Sequence, residues 1–271
     1  MKATGNVSDS ELVLVERVDN VMIITLNRPE ARNAVNLSVQ LAVGEALEEA
    51  DQDPSVAVVI ITGAGEKSFC AGVDLKALAR GEQLRPDGAR ERNWGFAGYV
   101  NHQIKKPTIA AVNGAALGGG TELVLASDLA ITVESATFGL PEVKRGIIAA
   151  AGGVFRIVEQ LPAKRAMELV LTGDPIDARQ ALELGLVNDV VPQRELMSAA
   201  MNLARRISAN APLAVQASKR VARGIVDGEV EGEVTSWKSA RAELDVLMSS
   251  EDAKEGARAF AEKRPAVWQA R

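Results

Sequence analysis

Three consecutive glycines, Gly118, Gly119 and Gly120, stand directly before Thr121-Glu122 and the apolar run Leu123-Val124-Leu125-Ala126. Glycine is costly inside regular structure, so a triplet at the mouth of a helical segment implies that another group approaches the main chain closely there. The first N–H groups of a helix have no partner within it and point at electron-rich atoms. Glu122 follows within one turn. Donors able to hold an oxyanion, beside a group able to move a proton, point to carbonyl chemistry.

The flanking segments limit the architecture. Val56–Thr62 and Thr108–Val112 are apolar runs of the kind found in strands covered on both faces. Glu11–Arg17 and Val21–Asn27 read as a hairpin across Val18-Asp19-Asn20, and Pro29 ends its ladder. A helical pattern begins at Asn36 and runs through Ala50, where Asp53-Pro54 stops it. Asp74 is placed to cap a short helix over residues 75–79. Phe96–Ile104 is expected to be helical, Glu122–Ala126 the core of a helix, and Leu129–Val133 a strand. Strands alternating with helices imply a layered α/β core.

Beyond Pro141, helical spacing dominates: Lys164–Leu171, Asp177–Leu184, Arg194–Ala209, Pro212–Val226, Glu229–Met248 and Asp252–Ala261. This suggests a core over residues 1–195 and a helical region over residues 196–271 whose apolar faces need a partner surface. Gly81–Gly98 is the least regular stretch and reads as a mobile loop or lid edge.

Several function classes are disfavoured. A net charge of −5 lacks the basic surface that non-specific nucleic-acid binding needs. The single cysteine, Cys70, rules out an intrachain disulfide framework and fits a reducing compartment. One histidine and one cysteine cannot assemble a zinc site of the usual kind. The first twenty residues lack an apolar signal region and no window reads as a membrane span, so a cytoplasmic location is expected. Gly63-Ala64-Gly65-Glu66-Lys67-Ser68 is not a P-loop, since Glu66 stands where glycine is required. His102 has no G-x-S-x-G partner motif and is expected at the surface or lining a pocket.

Two glycine-flanked turns each follow a buried strand, Cys70-Ala71-Gly72 and Leu117–Gly120. They are either ordinary turns or a pair of donors converging on one oxygen. Glu122 and Glu142 are either helix-start acids or an acid–base pair.

Phe69-Cys70-Ala71-Gly72-Val73-Asp74-Leu75, Asn113-Gly114 through Gly120-Thr121-Glu122-Leu123, and Phe138-Gly139-Leu140-Pro141-Glu142 resemble the signature blocks of the enoyl-CoA hydratase/isomerase (crotonase) family, in its order and spacing. The resemblance covers essentially the whole chain. It implies an α/β spiral of ββα units followed by a helical trimerisation region, assembling as a homotrimer or homohexamer. The oxyanion donors carry over to the N–H groups of Ala71 and Gly119. Glu122 would orient and deprotonate water, and Glu142 would deliver a proton to the α-carbon. The expected reaction is the reversible syn addition of water to a trans-2-enoyl-CoA, giving a 3-hydroxyacyl-CoA.

The coenzyme A thioester is the substrate, and no metal or redox cofactor is implied. Its phosphates would meet Arg28, Arg32 or Lys67, with Ala34, Gly72, Asp74, Leu75, Leu117 and Gly118 along the bound ligand. Trp94 and Phe96, with Tyr99, fall where the acyl pocket would be. Phe260 and Lys263 match C-terminal residues that can reach a neighbouring subunit's ligand. The run Ala149-Ala150-Ala151-Gly152-Gly153 departs from the family's pattern, and Ala150 adds a methyl that would narrow the pocket. The branch that includes carnitinyl-CoA dehydratases is the most similar. Other outcomes are such a dehydratase, an isomerase or a CoA lyase, and, outside enzymes, a catalytically silent scaffold.

Overall fold

The computed structural model describes residues 12–271. Glu11 of the predicted first strand, and most of the segment searched for a signal region, lie outside the described residues. The hairpin is present as β1 (Val13–Val18) and β2 (Val21–Leu26), antiparallel with Val18 opposite Val21. Helix α1 (Leu37–Gln52) is capped by Asn36, whose side chain accepts the Val39 N–H at 3.0 Å. Strand β3 (Val58–Gly63) is buried at every position, and β4 (Ser68–Cys70) follows after the glycine turn. Asp74 caps α2 (Leu75–Ala79) as its sequence position suggested, accepting from the Lys76 and Ala77 amides.

Within the irregular stretch lies one short helix, α3 (Ala89–Asn93). Next come β5 (Thr108–Val112), β6 (Ala115–Leu117), α4 (Gly119–Ala126), β7 (Leu129–Val133) and β8 (Thr137–Gly139). The remainder comprises α5 (Gly153–Gln160), α6 (Ala163–Thr172), β9 (Ile176–Asp177), α7 (Ala178–Glu183), β10 (Asp189–Val191), α8 (Leu196–Ser208), α9 (Pro212–Arg223), β11 (Ile225–Val226), β12 (Glu229–Val230), α10 (Val234–Met248) and α11 (Glu251–Glu262).

The strands form two main sheets. One has the order β1-β2-β3-β5-β7-β10 and is parallel from β2 onward; the other has the order β4-β6-β8-β9. Each long strand of the first sheet is followed by a short strand of the second: β3 by β4, β5 by β6, β7 by β8. The chain therefore climbs as a spiral of ββα units, with every short strand ending on the same side. That side carries Cys70, Leu117 and Gly139, and so sets where the glycine turns converge.

Three expectations are corrected. Phe96–Ile104 is a single 3₁₀ turn, Phe96–Gly98, followed by loop, because Gly95, Ala97 and Gly98 all take positive φ. The predicted helices over 212–226 and 229–248 are interrupted by the β11–β12 hairpin, turned at Asp227-Gly228, both of positive φ. The boundary at 195/196 does not mark the edge of the core. Leu196, Ala200, Met201 and Ala204 of α8 are buried in the main apolar cluster, against β3, β5 and β7. The most exposed large apolar side chains lie on α9, Leu213 at 79 % and Val221 at 83 % exposure. Among the described residues no helix is long and apolar enough to cross a membrane.

Candidate active site

Two buried asparagines fix the first turn. Asn33 Nδ2 donates to the carbonyls of Ala64 and Ser68 at 3.0 and 2.7 Å, and Asn113 Nδ2 donates to those of Gly65 and Ser68 at 2.7 and 3.2 Å. The segment leading into β4 is thereby pinned, and the chain leaves Cys70 in a set direction. Here one expected donor fails. The Ala71 N–H is already engaged, donating to the Arg32 carbonyl at 3.1 Å.

The next free amide is that of Val73. The Gly72 carbonyl accepts from Val35 N at 2.8 Å, and in a planar trans peptide the N–H that follows a carbonyl points the opposite way. The Val73 N–H is therefore directed away from the Val35 strand, and Val73 itself is part-exposed. A motif reading by residue type did not separate Ala71 from Val73; the alternation of amide directions along the turn does.

Gly119 supplies the other amide. It is the first residue of α4, where no helical acceptor exists, and Gly118 before it takes φ 56°, ψ −123°. Gly72 packs directly on this amide: a Cβ at Gly72 would stand 3.2 Å from Gly119 N and 3.3 Å from Leu117 O. The Phe96 ring covers Gly119 from another side, 2.4 Å from where its Cβ would lie. The glycines exist to admit these contacts.

Glu122, in the first turn of α4, is buried. Its Oε1 accepts the Gly153 N–H at 2.9 Å, and the Ala151 N–H also bonds to it. Glu142 lies on the 3₁₀ turn Pro141–Arg145, with Oε1 placed 2.8 Å from a Cβ built on Gly118. Its Oε2 is buried without a hydrogen-bond partner among the described residues. Burial raises the proton affinity of both carboxyls well above the usual range. For Glu122 the nearby Glu142 adds to this, while the Gly153 and Ala151 amides and the Arg156 guanidinium oppose it. Two such groups side by side retain a proton near neutrality, one carboxyl serving as acid while the other serves as base. Cys70 is no rival nucleophile, since burial pushes its thiol up to about 12.

The expected binding residues divide. Arg28 donates to the Ala34 carbonyl and to Asp74 Oδ2 at 2.8 Å, while Asp74 Oδ1 caps α2. Both are thus occupied as a strut between the loop after β2 and α2, and Arg28 is not a spare cation. Arg32 and Lys67 are exposed, and among the described residues neither forms an ion pair. Leu75 and Leu78 on α2 add exposed apolar surface beside Val73. Ala150 is part-buried, its amide bonded to the Ile148 carbonyl in the turn before α5.

Trp94 is brought elsewhere: it is buried against α1, its Nε1 donating to Glu48 at 3.2 Å, and it stacks on His102 with ring centroids 5.0 Å apart. His102 is correspondingly neither surface nor pocket-lining. Its side chain is 8 % exposed and lies between the Gly98 carbonyl and Glu48. Tyr99 is also core, its hydroxyl 2.8 Å from Ser127 Oγ. Phe260 lies under Arg145 of its own chain, 4.1 Å from guanidinium carbon to ring centre, and Lys263 ends α11 with φ 54°.

With this geometry in hand, the chain can be set beside known proteins. The family model described as enoyl-CoA hydratase/isomerase matches residues 16–271. A carnitinyl-CoA dehydratase of Salmonella enteritidis is 45% identical over 264 residues, 97% of this chain and 100% of the relative. Among solved structures, a carnitinyl-CoA hydratase from Mycobacterium avium is 63% identical with a TM-score of 0.94, over 96% of this chain and 99% of that one. An enoyl-CoA hydratase from Mycobacterium tuberculosis is 44% identical with a TM-score of 0.74, over 96% and 100%.

Proposed function

The chain belongs to the enoyl-CoA hydratase/isomerase (crotonase) family, and we propose that it adds water reversibly to a trans-2-enoyl-CoA, using Glu122 and Glu142 as the proton-transfer pair. The observation that carries this reading is the meeting of the Glu122 and Glu142 carboxyls at the glycine turn whose Gly119 amide lies against Gly72. Enolate charge developing on the thioester oxygen would fall on the amides of Gly119 and Val73. Each such donor contributes about 2.7–4 kcal/mol in acyl chemistry.

In the hydration direction Glu122 takes a proton from water as its oxygen bonds to the β-carbon, and Glu142 gives a proton to the α-carbon. One proton leaves water for Glu122 and one leaves Glu142 for the α-carbon; return of a proton from Glu122 to Glu142 resets the pair, and dehydration is the same path reversed. The step is redox-neutral and calls for no cofactor. Arg32 and Lys67 are the cations left free to meet the phosphates of coenzyme A. The exposed apolar side chains of α9 and α10 would be covered in a homotrimer or a dimer of trimers.

A second reading keeps the site and changes the acyl group. The names of the relatives at 45% and 63% identity favour a carnitinyl-CoA-type substrate, whose acyl chain carries a trimethylammonium group. A panel of trans-2-enoyl-CoAs followed by loss of conjugated-thioester absorbance, with the trimethylammonium-bearing enoyl-CoA included, decides between them. Hydration of at least one member is expected, and Glu122→Gln should abolish it. An enzyme that stays active in Glu122→Gln would overturn the assignment.

A further inference from the structure

We propose that Arg156 is the positioning residue of this site and that Glu233, 77 positions later, is the group that holds it there. The inference rests on the hydration reading of Glu122.

Arg156 lies on α5 and is among the largest fully buried side chains of the molecule. Its guanidinium meets Glu233 as a fork, Nε to Oε1 at 2.8 Å and Nη2 to Oε2 at 2.6 Å. The remaining Nη1 donates to the Val100 carbonyl at 2.7 Å. Trp237 Nε1 donates to Glu233 Oε2 at 3.2 Å, and the rings of Trp237 and Phe155 flank the guanidinium at 5.3 and 5.7 Å. Every partner is protein. Apolar residues of similar volume often serve stability as well at such a place, because taking both charges out of water costs several kcal/mol per ion. The pair therefore needs a role other than stability.

Its surroundings supply one. Gly152 abuts the guanidinium, with a built Cβ 3.0 Å from Nη1 and 3.4 Å from Trp237. The next residue, Gly153, is the donor to Glu122. Val100 closes the short segment whose Phe96 ring covers Gly119. One guanidinium thus braces both the backbone that orients Glu122 and the segment that seats the oxyanion donor. Glu122 is faced by Glu142 from the 3₁₀ turn, by the Cys70 thiol from β4 and by Arg156 from α5, with Glu233 behind Arg156. Of the pair it is the cation that acts on Glu122, favouring its ionised form.

Opposite signs separate this role from simple packing. Carboxyl-¹³C NMR of glutamate-labelled protein, with the Glu122 resonance identified by its loss in Glu122→Gln, reads the titration midpoint without requiring activity. Arg156→Met should raise that midpoint, and Glu233→Gln, which leaves the cation uncompensated, should lower it. Arg156→Lys keeps the charge and loses the fork, so the midpoint should hold while kcat falls about 10–100-fold with KM little changed. Should Arg156→Met fail to fold, the other two variants carry the test. Midpoints of Arg156→Met and Glu233→Gln that move together, or a midpoint that stays fixed in either folded variant, would overturn the proposal, as would full kcat in Arg156→Lys. Opposite shifts in a wild type that hydrates no enoyl-CoA would sink the reaction while leaving the positioning role standing.

Discussion

Gly72 and the amide of Gly119 are in near contact: a single methyl on the first would stand 3.2 Å from the nitrogen of the second. That closeness lets two turns from different ββα units present one binding place for an oxygen. Gly72→Ala would intrude on it and would also strain a backbone held at φ +85° by about 1–3 kcal/mol. The expected loss is about 10²–10³-fold in kcat, the scale of one missing oxyanion donor. Near-normal turnover in the purified variant would show that this pair of turns is not where the charge develops.

The acid–base pair should be visible in the pH profile. Burial raises both carboxyls well above their reference of 4.5, and for Glu122 the charge of Glu142 adds to the rise. A bell-shaped kcat/KM is expected whose limbs belong to the pair jointly, with little activity remaining at pH 5. Because Glu142 contributes to the rise at Glu122, the Glu122 midpoint should fall in Glu142→Gln while kcat drops about 10²-fold or more. A profile flat from pH 5 to pH 9 would contradict this assignment.

Glu122 should also lower stability at alkaline pH. Its affinity is raised in the folded state, so the fold holds a proton that the unfolded chain has released. Stability is full below pH 4.5 and is lost as pH rises toward about 8. Glu122→Gln removes that loss and keeps an oxygen for the Gly153 N–H. It should melt at a higher temperature than wild type at pH 8.5, by about 1–3 kcal/mol of stability, and should match it near pH 4.5. Equal melting temperatures at both values would mean that the carboxyl is not destabilised by its setting.

Helix α11 clamps the turn that carries Glu142. A Cβ on Gly256 would lie 2.2 Å from the Arg145 carbonyl oxygen, and one on Gly146 would lie 2.5 Å from that of Asp252. Gly256→Ala should cost about 1–3 kcal/mol through overpacking and should lower kcat through displacement of Glu142. Calorimetry with steady-state kinetics checks both, and a variant with unchanged stability would show that the contact is slack.

Much of the site was legible in the sequence where its cause is local. That Gly118–Gly120 and Glu122 share one helix start is visible in the sequence, as is the strand over Leu129–Val133. What escaped depends on distant partners. Whether Ala71 or Val73 has the free amide is decided by the pairing with Val35. Trp94 leaves the acyl region because Gly44 and His102 receive it. Arg156 interrupts the apolar run Val154-Phe155-Arg156-Ile157-Val158, a signal in itself, but its partner Glu233 is not adjacent to anything that reads as a site. Strands β4, β6 and β8, three residues each, are too short for periodicity to show.

The pairing of Arg156 with Glu233 also bears on the order in which the chain is made. A ribosome releases Arg156, the glycines, Glu122 and Glu142 before it releases residue 233. Until then the guanidinium has no counter-charge to enter the core with, and a buried charge missing its partner costs about 3–5 kcal/mol. The buried fork thus ties α5 to a residue 77 positions further along the chain.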